Sequence, residues 1–448
     1  MRPIPFALVF ALAAAPAAPQ TSSPLRVSLP QAVELALAPD GNARLALARE
    51  LVRQADTRAR QARATLLPQI ESSIAQQNQT RNLAAFGIRF SLPFPGFQFP
   101  ERVGPFNVFD ARVTAAQSLF DWSALRRWQA SQTGRQAAQA EADNARDQVA
   151  ALVAKLYLTA QVSEARLETA RANLALAEAL ARLAASQKAA GTGTAIDVTR
   201  AQVQAANQRQ RVVVAENDRR RAHLELLKAM GLDLGAAIQL TEPLAYAPPD
   251  AVTLEQARAL ALASRPDLQA QQHREVTARL GYTAAKWERL PTLAGFADYG
   301  SIGSSLSHAL PTRTYGVALK LPLFDGGRRD ARRAESLSQL RQENIKTADL
   351  RRQVELEVRL ALDTLHSAEE QVGVAEEGLK LAQEEVAQAE RRYRAGVTSS
   401  LEVTDAQTRL ERAQENRLAA LFTYQAARID LAQATGAMRQ MIPPGVTP

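Results

Sequence analysis

The sequence predicts a mixed α and β chain built as an internal two-fold repeat, in which long coiled-coil helices are joined to strand hairpins. Three observations carry this. Short segments recur in the same order about 204 to 225 residues apart. Over long Pro-free stretches the apolar residues fall at a mean spacing of 3.5, the mark of a coiled-coil seam. Over shorter stretches the spacing changes to two, the mark of a strand. The 448 residues are 46% hydrophobic and only 5% aromatic, and the apolar content is mainly Ala and Leu, which favour helix.

Residues 1–18 read as a signal peptide. Arg2 is a lone charge, Ile4 to Ala15 is apolar, and Ala13-Ala14-Ala15-Pro16-Ala17-Ala18 offers a cleavage site. The mature chain is therefore expected outside the cytoplasm. Further on, no charge-free apolar run reaches the roughly 18 residues of a membrane helix. The longest candidate, Leu83 to Pro100, is broken by Arg89, Pro93 and Pro95.

The first repeat is placed at residues 19–230. Its opening helix starts at Ser28-Leu29-Pro30-Gln31-Ala32-Val33-Glu34-Leu35-Ala36-Leu37 and stops at Leu67-Pro68. A strand hairpin follows at about 69–120, then long helices at 121–190 and 194–230. A linker with Pro243, Pro248 and Pro249 occupies 231–252. The second repeat, 253–436, opens at Thr253-Leu254-Glu255-Gln256-Ala257 and stops its helix at Leu290-Pro291. Its hairpin is expected at about 292–324 and its long helices at 325–395 and 399–436, with a tail at 437–448. Leu119-Phe120-Asp121 returns as Leu323-Phe324-Asp325, and Ala190-Gly191 returns as Ala395-Gly396. About nineteen extra residues, rich in Phe and Pro, lengthen the first hairpin. They fall between Pro68 and Phe120, and Arg81 to Pro105 is read as the loop of this longer hairpin.

In the hairpins, Phe109, Ala111, Val113, Ala115 and Leu119 alternate with Asp110, Arg112, Thr114 and Ser118. Tyr315, Val317, Leu319 and Leu321 alternate with Thr312, Thr314 and Lys320. With the weaker candidates Gln69 to Thr80 and Thr292 to Ser301, that gives four strands of about ten residues, the length of an outer-membrane strand. Four strands cannot close a barrel and lipid tolerates no open edge. Either the strands are soluble or several chains share one barrel. In the long helix, Leu350, Val354, Val358, Ala361, Leu365, Ala368, Val372, Ala375, Leu379, Ala382, Val386, Ala389 and Tyr393 form one seam. The first repeat carries its counterpart from Val153 to Ala184. A Pro-free stretch from Asp325 to Tyr393 spans about 100 Å as helix, too long and too charged for a bilayer. The helices must pack lengthwise on each other.

Composition and motifs exclude several functions. There is no Cys, so disulfides, thiolate metal sites and Cys nucleophiles are absent. His223, His273, His308 and His366 stand apart without metal spacing, and no phosphate or dinucleotide motif occurs. No catalytic, cofactor or metal residues are assigned, and the chain is not expected to be an enzyme. The +8 net charge comes from arginines dispersed among acids, so solvated helix faces and not nucleic acid are expected.

Leu321-Pro322-Leu323-Phe324-Asp325-Gly326-Gly327-Arg328-Arg329 resembles the strand-to-helix junction of the TolC-like outer-membrane efflux proteins, the outer-membrane factors. The Leu-Pro stops, the repeated openings and Tyr393-Arg394-Ala395-Gly396 resemble that family too. The order of these motifs, duplicated from about 27 to 436, makes the likeness specific. The resemblance implies a mixed α and β membrane protein of the outer membrane. A homotrimer pools four strands per chain into one transmembrane β-barrel, and its long coiled-coil helices form an α-helical barrel across the periplasm. It implies an exit duct of a tripartite efflux or type I secretion system. The partners are a periplasmic adaptor, an inner-membrane pump (RND, ABC or similar) and outer-membrane lipid. A soluble periplasmic coiled-coil scaffold or adaptor is the alternative; it would carry no duplicated strand hairpins. The junctions are assigned to Phe120, Asp121, Phe324, Asp325, Gly326 and Gly327. By resemblance, the periplasmic aperture falls at Glu402 and Asp405, the family's inner acidic rings, and at Asp197 and Tyr393, its closing contacts. The family's basic partner is Thr398 here, and Arg200 is offered in its place.

Overall fold

The computed structural model describes residues 24–39, 41–87, 101–248 and 252–438. The signal segment at 1–18, the Phe-rich stretch from 88 to 100 and most of the 437–448 tail lie outside them. In chain order the elements are β1 (Leu25–Val27), α1 (Leu29–Leu37), α2 (Ala43–Ala64), β2 (Gln69–Asn82), β3 (Arg102–Phe120), α3 (Trp122–Ala189) and α4 (Ala195–Met230). Then follow β4 (Ile238–Leu240), α5 (Leu254–Ser264), α6 (Pro266–Trp287), β5 (Thr292–Gly303), β6 (Leu310–Lys320), α7 (Arg328–Arg394) and α8 (Ser400–Ala434). The order of two helices, a hairpin and two long helices is thus traced twice.

Local chemistry starts and stops these helices. Asn42 caps α2 by accepting the Arg44 N–H at 2.9 Å. Thr253 and Gln256 form a reciprocal capping box on α5. Pro266 opens α6 at a position where its missing N–H costs nothing. One expected start moves: α7 begins at Arg328 and not at 325, because Gly326 and Gly327 hold φ of +67° and +84°, outside the helical region. α3 and α7 run 68 and 67 residues, about 100 Å each. Ten of the thirteen seam positions of α7 are buried and Leu350, Ala375 and Leu379 are half-buried, so the seam is the packing face.

The chain divides into two compact units, and each draws on both repeats. Among the described residues, one unit gathers 24–36, 153–246 and 377–422. In it β1 pairs in parallel with β4, Leu25 opposite Ile238 and Val27 opposite Leu240. The stretch read as a linker therefore contributes a strand. A three-residue ladder is weak, and side chains from α3 fasten it. The fully buried Tyr157 donates its hydroxyl to the Val27 carbonyl at 3.1 Å, and the Gln161 amide donates to the Glu242 carbonyl at 2.6 Å. Here α3 is buried on several sides, through Val153, Ala154, Tyr157, Leu158 and Val162, where a single stripe was expected. Farther along, Leu180, Ala201, Val386 and Val403 bring α3, α4, α7 and α8 into one core.

The other unit gathers the described residues of 37–152, 247–376 and 423–438. Its sheet is antiparallel in the order β2-β3-β5-β6. Ile70, Ala115, Ala297 and Tyr315 lie opposite one another in the register. That pairing puts the apolar stripes of both hairpins on one face. Val113, Tyr299, Val317 and Leu319 extend the same face, and all four are exposed. The next row, Glu71, Thr114, Asp298 and Thr314, carries the polar face. Arg112 pairs with Asp110 on that side. At 14 and 19 residues, β2 and β3 exceed the ten expected. Arg102, Val103 and Phe106 to Val108 of β3 pair with β2 alone, beyond the last β5 partner at Phe109, so residues 102–105, expected in the loop, belong to the strand. At the other end, Arg265 closes the α5–α6 corner by pairing with Asp267 at 2.6 Å and with Glu357.

Tyr157 tests how the short parallel pair is held. Tyr157→Phe removes one hydrogen bond and should cost about 1 kcal/mol. Tyr157→Ala also opens a cavity and should cost about 3–5 kcal/mol. Both are measured by thermal unfolding of the detergent-solubilised protein. Equal losses would show that the hydroxyl, and not the ring, secures β1.

Candidate functional site

The α3–α4 and α7–α8 turns close in the same way. Gly191 and Gly396 take φ of +78° and +72°, so each turns back without a Cβ clash. The Thr192 N–H then reaches the Gln187 carbonyl at 2.9 Å, and the Val397 N–H reaches that of Arg392 at 3.0 Å.

Asp197 is the most connected group at these tips. It completes a capping box with Thr194 at the start of α4. It also accepts the Ser400 hydroxyl at 2.6 Å, which ties the first turn of α4 to that of α8. Ser400 is only 1% exposed. The Ser400 and Thr194 hydroxyls hold the Asp197 carboxyl below the usual carboxylate range, and the Arg200 charge adds a smaller pull. Arg200 therefore acts on Asp197 through charge, while the direct contacts are the hydroxyls. Tyr393 is buried in the core beneath, against Ala389, Val403 and Ala406. Burial, and then the Asp197 charge, push its phenol above the ordinary value.

Glu402 takes the Arg392 guanidinium at 2.9 Å and the Thr398 hydroxyl. Asp405 stands exposed on α8. The tips therefore gather Tyr393 and Arg200 around the Asp197 carboxylate, with Glu402 in a separate pair. Ser400, Thr194 and Arg392 are additions to the expected set. Thr194-x-x-Asp197 carries the capping-box spacing and was readable in the sequence. The Ser400 and Arg392 contacts join distant or oppositely running segments and leave no local signal.

The strand-to-helix junctions differ from one another. Asp121 caps α3, accepting the Ala124 N–H at 2.9 Å. Phe120 stacks edge-on against Trp122 at 4.9 Å, and Trp122 against Trp287 at 5.7 Å. The Arg126 guanidinium lies 4.5 Å over the Trp287 ring. In the second junction Asp325 accepts the Arg329 N–H at 3.2 Å and pairs with its guanidinium at 3.3 Å. Gly326 and Gly327 separate the strand from the helix, and Phe324 is left 90% exposed.

Among the described residues, no cluster of His, Asp and Glu has metal-binding geometry. No described helix is long and apolar enough to cross a membrane. His223 pairs with Glu164 at 3.0 Å, and His308 lies within hydrogen-bond reach of Ser305 and Ser307.

The model of a family described as outer membrane efflux protein matches residues 35–232 and 257–437. The pyoverdine export outer membrane protein OpmQ of Pseudomonas putida is 27% identical over 406 residues, which are 88% of this chain and 82% of that protein. The solved structure of VceC from Vibrio cholerae superposes with a TM-score of 0.77 at 19% identity, covering 91% of this chain and 96% of that one. CusC superposes with a TM-score of 0.78 at 19% identity, covering 91% and 92%. The two matched blocks coincide with the duplicated order of helices and hairpins, and the chain belongs to the outer membrane efflux protein family.

Proposed function

We propose that three copies of this chain close one barrel in the outer membrane and one helical tunnel below it. The chain is an outer-membrane efflux duct whose helices reach into the periplasm. One observation carries the trimer. The sheet has four strands, with β2 and β6 outermost, and an exposed apolar face through Val113, Tyr299, Tyr315 and Val317. Lipid accepts no open backbone edge and closed barrels begin at about eight strands. Three copies supply twelve, with β2 of one chain pairing β6 of the next. The apolar face then meets lipid and the row of Glu71, Thr114, Asp298 and Thr314 lines the lumen.

The helix tips form the periplasmic aperture in this reading, where a periplasmic adaptor and an inner-membrane pump dock. The pump, of RND, ABC or similar type, sets the cargo. The chain conducts and catalyses nothing. Two features support a closing device at the tips. Asp197 ties α4 to α8 through Ser400, and Tyr393 fills the core below. Around a three-fold axis Glu402 and Asp405 become rings of carboxylates that attract cations; the Arg392 partner of Glu402 leaves Asp405 the stronger site.

Three outcomes are expected. Val113→Arg places a charge on the lipid face at about 2–4 kcal/mol per chain; normal trimer yield in outer-membrane fractions would show that this face does not meet lipid. Tyr393→Ala and Asp197→Ala should raise conductance in planar bilayers, and replacing Glu402 and Asp405 by Ala should weaken block by trivalent cations. Unchanged values in all of these would remove the aperture assignment and leave the duct intact. The third concerns pH. A carboxyl with a lowered folded pKa adds stability above its ordinary range, and loses it as pH falls through the lowered value. Acidification should therefore open the tips, and Ser400→Ala should move that opening to higher pH. A conductance–pH curve identical in Ser400→Ala would rule out Asp197 as the titrating group.

A further inference from the structure

The end of the sheet nearest the helices brings together positive charge that the sequence distributes over four separate segments. Gln69 pairs with Ala116, Phe120 with Leu293 and Thr292 with Lys320, so all four strands turn into helices at one level. Four segments meet there: 58–64 of α2, 121–127 at the start of α3, 286–289 at the end of α6, and 325–333 at the start of α7. They hold eleven Arg and Lys against four Asp and Glu, an excess of seven in a chain whose whole net charge is +8.

The four acids are already engaged. Asp121 caps α3. Glu288 is shared by Arg127 at 2.5 Å and Arg332 at 2.8 Å. Asp325 holds Arg329 and Asp330 holds Arg289. Arg63, Lys286, Arg328 and Arg333 make no ion pair among the described residues, and the first three are exposed. Beside this collar lies an exposed apolar band of Leu67, Phe120, Leu290, Leu321, Leu323 and Phe324. An apolar band bordered by unpaired cations is the arrangement that seats a protein among anionic headgroups: chains enter the apolar side and phosphates meet the cations.

We propose that this collar binds the headgroups of anionic phospholipids in the periplasmic leaflet. The inference rests on the outer-membrane reading above and names the lipid chemistry that the reading leaves open. Each unpaired cation donates to a phosphate oxygen, and the Arg126–Trp287 stack ties the start of α3 to the end of α6 within the collar.

The chain reports on this site by itself, since its three Trp residues, Trp122, Trp128 and Trp287, all lie at or within two turns of the collar. Purified full-length protein is reconstituted in vesicles containing brominated phosphatidylglycerol or brominated phosphatidylcholine, and Trp quenching is titrated. The expected result is a preference of about threefold or more for phosphatidylglycerol, lowered by 0.5 M salt, roughly the screening regime of a short Debye length. The variant Arg63→Gln, Lys286→Gln, Arg328→Gln, Arg333→Gln should lose the preference. Its charge-keeping counterpart, with Lys at the three Arg positions, should retain it. Equal quenching by both lipids in the unaltered protein, or a preference that survives salt or the Gln variant, overturns the proposal while leaving insertion intact. If neither lipid quenches, the chain is not in the bilayer, and the proposal falls together with the outer-membrane reading. The salt arm decides the matter even if the Gln variant fails to fold.

Discussion

A hydrocarbon medium offers no partner to an unpaired peptide group, and that demand organises much of this molecule. Four strands with an apolar face cannot rest there alone. The pairing of β3 with β5 joins the two hairpins into a single antiparallel sheet, and it moves the open edges to β2 and β6. These are the strands farthest apart in the sheet, which is where copies of the same chain can add to one another without competing with the internal pairing. The duplication thus has a physical use: each repeat alone would present two strands, and the antiparallel join doubles the arc of wall that one chain contributes.

The helices answer a different demand. A seam of single-residue width, as in α7, buries little surface per turn, and Ala at alternate positions brings neighbouring backbones close. The core along each seam is therefore narrow. Where more burial is needed, the chain adds material from outside the seam. The β1–β4 pair laid over α3 near Tyr157 does this, as does the Arg265 corner, whose guanidinium is satisfied by Asp267 and Glu357. Polar groups enter the thin core as cross-links: Gln208 and Arg211 both reach Glu411, and Asn173 reaches Gln414 at 3.0 Å. Such bonds fix which helix faces which, a choice that an Ala-rich seam leaves loosely determined.

How much of this could be read from the chain alone depends on the period of each feature. Val354 to Tyr393 repeats often enough for its 3.5 spacing to be unmistakable, and Tyr315 to Leu319 alternates clearly. The join between β3 and β5 could be inferred only as a shared sheet, since nothing in either hairpin states its neighbour. Leu25–Val27 and Ile238–Leu240 are too short for any period and lie in segments that composition marks as irregular. Residues 102–105 fall in the loop expected at Arg81 to Pro105, yet pairing to β2 continues past Gly104 and Pro105 to Val103 and Arg102. At the helix tips, the Thr194–Asp197 spacing was legible, whereas Ser400 meets Asp197 from the other repeat. Periodicity records what a segment does repeatedly; a contact made once leaves no such trace.

The parallel pair β1–β4 has a bearing on the order of folding. Leu25 must find Ile238, so β1 has no partner until the whole first repeat has emerged. Contacts of such sequence separation form late, after the entropy of closing the intervening chain has been met. α3 and α4 can assemble through local contacts well before that. Of the segments of its unit that precede residue 246, β1 is the last to dock, and through that interval it stays open to chaperones and proteases.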